Sequence, residues 1–132
     1  MVKLSSVKLD KDKYDNGVEF NYMEDFFITL SCMSAPHYRA KLAEMQEKHF
    51  PGEAKLTESQ IHTISVHAVA EALVLDWRGI EDEEGNPLEC TPENVYSLIS
   101  DPLSEDLMNF IVRKSSNLTH YRTESTKKTV KN

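Results

Sequence analysis

The sequence predicts an α+β fold, mostly helical, with a small N-terminal antiparallel sheet packed beside about four helices. Three observations predict it. Val18, Phe20 and Tyr22 alternate with polar residues, and the aromatic and β-branched run Phe26 to Leu30 follows, as two strands would. Ile61 to Leu75 is apolar on nearly every side of a helix, with few polar interruptions. Thr91-Pro92-Glu93 and Asp101-Pro102 each open a helix with a capping side chain and a proline in the first turn.

Taken in order, Val2, Leu4, Val7 and Leu9 are spaced for short extended segments, and Asn16-Gly17 signals a hairpin turn. A sheet of two or three strands is expected from residues 1–31, and it needs a helix to pack on. Ser34 is placed to cap a helix near 35–50 with Pro36 in its first turn, and His49-Phe50-Pro51-Gly52 stops it. Met33, Met45 and Phe50 are read as core. Thr57 and Gln60 form a capping box, so the central helix is expected over 58–76. Trp77, the chain's only tryptophan, should cap the core, with Gly79 at or just past the helix end. Two further helices are expected near 92–100 and 102–121. Residues 1–122 make one domain, and 123–132, with no apolar period, read as a mobile tail.

Composition narrows the function. A chain of 132 residues can bury a core without disulfides or metals. A formal net charge of −7 argues against nucleic-acid binding, and the one basic run, Lys127-Lys128 with Lys131, lies in the tail. Cys32 and Cys90 read as two free thiols in a reducing compartment. No signal-length apolar run follows Met1, and Val66 to Leu75 is too short and too interrupted for a membrane span. A protein in the cytoplasm is expected.

No constellation for catalysis stands out. Cys90 with His62 or His67 is the one nucleophile–base pairing to weigh, and Glu89 beside the thiol would raise its pKa, the wrong direction for activation. His62 and His67, five residues apart, project about 140° apart around a helix, off the shared face a metal site needs. The acidic turn Glu81 to Glu84 lacks calcium-loop spacing: counted from Asp76, position three is Arg78 and position twelve is Pro87. No cofactor, no metal and no enzyme activity are expected. The apolar central helix, through Ile61, Ile64, Val66, Val69 and Leu73, is instead the candidate surface for a partner or for self-association.

One stretch carries a resemblance. Trp77, Gly79, Ile80, Asp82 and Gly85, followed by Thr91, Pro92, Glu93 and Asn94, form a Trp-x-Gly-aliphatic-x-Asp turn and a Thr-Pro-Glu-Asn helix start. In these features, best from about Ala70 to Tyr121, the chain resembles the tail assembly chaperones of long-tailed bacteriophages. The resemblance implies a non-catalytic protein that binds the tape-measure protein while tail-tube protein assembles around it. It also implies homo-oligomers, the bacterial host cytoplasm as location, and absence from the mature virion. The alternative is a small structural or tail-completion protein that stays in the virion.

Overall fold

In the computed structural model, which describes residues 1–123, the chain forms five α-helices and a three-stranded antiparallel sheet among the described residues. The helices are α1 (Lys11–Asn16), α2 (Pro36–His49), α3 (Glu58–Ala68), α4 (Pro92–Ile99) and α5 (Glu105–Ser116). The strands are β1 (Val18–Met23), β2 (Phe26–Leu30) and β3 (Val74–Arg78), in spatial order β1-β2-β3. This corrects the expected fold. There is one helix more than the four expected, and the sheet is not confined to the N-terminal segment, because its third strand comes from the middle of the chain. Of the expected mobile tail, residues 124–132 lie outside the described residues.

The largest correction concerns the central helix. Its α-helical part ends at Ala68, a π-helical turn covers Val69–Leu73, and Val74–Arg78 is strand. Ile28 sits opposite Trp77, Leu30 opposite Val74, and the Ser31 N–H donates to the Leu73 carbonyl at 2.8 Å. A short apolar run reads alike as buried helix or buried strand, and only the distant partner strand decides.

The N-terminal segment also differs from expectation. Leu4–Val7 is a 3-10 turn and Lys11–Asn16 a helix, where extended segments were expected. Asp10 caps α1 by accepting from the Lys13 N–H, and Gly17, at φ 83°, closes it through its N–H to the Lys13 carbonyl. Helix caps and tight hairpins both call for a residue at positive φ, so Asn16-Gly17 is ambiguous by itself. The real hairpin turns at Glu24-Asp25, where the Asn21 side-chain amide donates to the Glu24 and Phe26 carbonyls at 2.9 and 3.2 Å.

One sheet face looks inward. Phe26, Ile28, Leu30, Val74 and Trp77 are buried, with Phe20 and Tyr22 packed beside them. The other face is polar: Arg78 lies over the Phe27 ring at 4.1 Å and forks onto the Glu19 carboxylate at 2.9 and 2.8 Å. The expected helix over 102–121 is divided into a 3-10 turn at Pro102–Ser104, α5, and a second 3-10 turn at Leu118–Tyr121. The break before the last turn falls at Asn117, whose backbone is extended and whose side chain accepts from the Thr119 N–H. Tyr121 then enters the core and is fully buried, its hydroxyl donating to the Leu30 and Ser31 carbonyls at 3.0 and 3.1 Å. Tyr121 is thereby fixed to the end of β2. Burial holds the phenol far above its usual range, so it stays a donor.

Candidate functional site

The predicted partner surface is mostly interior. Ile64, Val66, Val69 and Leu73 are buried in the chain's own core, and of the five named residues only Ile61, 49% exposed, faces outward. The physical reason is the sheet. β3 pairs with β2, and the π-helical turn that leads into it is packed against α2, α3 and α4.

What remains outward is the first half of α3. The capping box fixes it: Thr57 Oγ1 accepts from the Gln60 N–H at 3.2 Å, and Gln60 Oε1 accepts from the Thr57 N–H at 2.9 Å. Ile61 follows as a ridge between two open grooves. One, of about 640 Å³, runs along α2 and is lined by Leu42, Ala43, Leu56 and Ile64. The other, of about 350 Å³, runs along α5 and is lined by His62, Ser65, Met108 and Val112. Both share Ile61 and Ser65. A ridge flanked by apolar grooves has the shape that receives the apolar face of another helix.

The motif from Trp77 to Asn94 forms a separate structural unit. Trp77 is on β3, not at a helix end, and is buried, as expected. Its ring meets Phe26 edge-on at 5.9 Å, and its Nε1 donates to the Leu88 carbonyl at 2.8 Å. Gly79 sits just past the strand at φ 84°, against the Asp25 carbonyl. The chain then doubles back: the Leu88 N–H donates to the Ile80 carbonyl at 3.0 Å, and Glu81 bridges to Pro87. Asp82 Oδ1 accepts from the Glu84 and Asn86 N–H groups at 3.0 and 2.9 Å, and Gly85 takes a positive φ. Thr91 caps α4 by accepting from the Asn94 N–H at 3.1 Å, Pro92 fills its first position, Glu93 lies in its first turn, and the Asn94 side chain donates to the Glu89 carbonyl at 2.8 Å. These residues shape backbone, and none points at a reacting centre.

Asp82 is thus committed to its own turn. Among the described residues no group of three or more His, Cys, Asp or Glu side chains is arranged to hold a metal ion. Calorimetric titration of calcium is expected to show no micromolar site, and a micromolar binding isotherm would overturn this reading of the turn.

The Cys90 thiol is pushed up to about 11, first by burial and then by the Asp76 carboxylate. The direction matches the sequence reasoning, but the cause is burial and Asp76 rather than Glu89. Sequence reasoning missed another pair, Ser31 Oγ and His37 Nε2, 2.9 Å apart. Ser31 is 1% exposed, so a substrate carbonyl carbon has no route to its hydroxyl, and the contact serves to satisfy a buried hydroxyl. The predicted cap of α2 is also absent. Ala35 holds the cap position, and Ser34 Oγ lies 3.1 Å from Cys32 Sγ instead.

The family model described as YdaY prophage protein matches residues 33–132. The chain belongs to that family. It is therefore a phage-related protein, and the YdaY match spans α2 to α5, both grooves and the whole Trp77–Asn94 unit while leaving out α1, β1 and β2. No curated protein and no solved structure matches the chain. Among the described residues no helix is long and apolar enough to cross a membrane.

Proposed function

We propose that this YdaY-family chain is a non-catalytic assembly factor, a tail assembly chaperone that binds the tape-measure protein in the host cytoplasm while tail-tube protein polymerises, and that is absent from the finished particle. The observation that carries the reading is the exposed Ile61 ridge between two open apolar grooves, a shape suited to an amphipathic client helix. The net charge of −7 favours keeping such a complex dispersed. The resemblance of the Trp77–Asn94 stretch to tail assembly chaperones supports the same reading. Self-association through the same face belongs to the proposal, driven by apolar burial and therefore weakly dependent on salt.

The test is co-expression with the tape-measure protein of the same prophage, followed by affinity measurement. Wild type is expected to co-purify with it, and Ile61→Asp to weaken binding about tenfold or more, as loss of a contact worth over 1 kcal/mol would do. Circular dichroism checks that the variant keeps its fold. The same substitution should reduce concentration-dependent association in sedimentation velocity. Equal binding by a folded Ile61→Asp variant would sink the docking surface. Finding the chain in purified particles by mass spectrometry would favour the structural-protein alternative.

A further inference from the structure

On the side of α3 away from Ile61, three planar side chains from three helices lie face to face. His67, near the end of α3, is sandwiched between His49, the last residue of α2, and Tyr96 of α4. Each pair of ring centroids is 4.3 Å apart, with interplanar angles of 17° and 13°. The π-helical turn begins two residues after His67, and such turns often mark functional positions in helices. Beside the stack runs a groove of about 370 Å³, lined by Lys48, His67, Ala70, Glu71, Glu93 and Tyr96, with Pro92 at its edge.

The geometry excludes a shared metal. Imidazole lone pairs lie in the ring plane, so two nearly parallel rings cannot converge on one tetrahedral ion. It also makes a neutral His67 the favoured state. His49 Nε2 is buried and has no hydrogen-bond partner among the described residues. A proton on His67 would place a charge in a partly desolvated ring stacked between His49 and Tyr96.

We propose that the His49–His67–Tyr96 stack is a proton-operated latch. It holds the C-terminal end of α2 against α3 and α4 while His67 is neutral. It lets that end go when His67 takes up a proton, widening the groove beside it. The charged groups around it do not cancel this. On α2, Lys48 opposes a proton on His67, and Lys41 is engaged by Glu44 at 2.5 Å and Glu71 at 3.8 Å. Glu71 on the π-helical turn favours the proton, and α4 contributes Glu93 and Tyr96 at the groove. For His67 the balance falls on the neutral side, first through burial and then through His49. A base whose pKa is lowered by packing supports that packing fully above its ordinary value near 6.5 and loses it as pH falls below.

Hydrogen exchange on the full chain at pH 7.5 and pH 5, corrected for intrinsic rates, tests the latch. Protection of amides at the end of α2 is expected to fall at pH 5, by at most about tenfold per pH unit for the linked proton. Amides of β1 and β2 should keep their protection. His67→Phe retains a flat ring without a titrating proton, so it should flatten the pH response. Unchanged protection at the end of α2 between the two pH values would overturn the proposal. So would an undiminished response in the folded His67→Phe variant, or a uniform loss across helix and sheet.

Discussion

Gly79→Ala is expected to destabilise the chain by about 2–5 kcal/mol, combining about 1–3 for overpacking with about 1–2 for left-handed backbone on an L-residue. Gly79 holds φ 84°, and a Cβ there would overlap the carbonyl oxygen of Asp25 and lie 2.6 Å from its carbon. Those are backbone atoms of the β1–β2 turn, and that turn is pinned by the Asn21 amide, so neither side can yield cheaply. Gly85 supplies the control. Its φ is 87°, almost the same, but a Cβ there meets nothing within 4 Å. Gly85→Ala should therefore cost only the conformational part, about 1 kcal/mol. Urea denaturation of both variants separates strain from collision, and equal losses would show that the close approach at Asp25 is not what demands glycine at position 79.

The contrast between these glycines also shows what the sequence could and could not disclose. Gly79 read as the glycine that ends a helix and Gly85 as a turn residue; Gly79 instead follows a strand, and both take positive φ. That one faces open space and the other the opposite hairpin follows from a pairing between β2 and β3 that no local pattern records. Local signals were legible where neighbours in sequence satisfy one another: the Thr57–Gln60 capping box, Thr91 with Pro92 at the start of α4, and the alternation of Val18, Phe20 and Tyr22. Val74–Arg78 was illegible because its strand state is set by β2, and Asn16-Gly17 because positive φ serves a helix cap as well as a hairpin.

The candidate site followed the same rule. The apolar character of α3 was plain, but which of its residues face outward depended on β3, and four of the five named turned inward. The His49–His67–Tyr96 stack had no sequence signal, since its rings come from three helices. His67 was visible only as a histidine in an apolar run, and the stack accounts for its partial burial by ring packing.

Trp77→Ala is expected to cost about 3–5 kcal/mol, the range for removing a large buried aromatic ring. Trp77 is 7% exposed, its ring packs edge-on against Phe26, and its backbone stands opposite Ile28. The indole has a second task. Through its N–H to the Leu88 carbonyl it ties the returning arm of the 80–88 hairpin to the sheet, and that arm leads directly into the Thr91 cap of α4. Trp77→Phe separates the two tasks, because a phenyl ring keeps much of the contact with Phe26 but cannot donate. It should cost less than alanine but still lose the roughly 1 kcal/mol of a buried hydrogen bond. It should also loosen residues 80–90 in hydrogen exchange more than β1 or β2. Circular dichroism must follow unfolding in both variants, as each removes the only tryptophan. A loss well below 1 kcal/mol for Trp77→Ala would mean that the ring is not held in the core, and the motif's tryptophan would then be free to meet a partner rather than to anchor the hairpin.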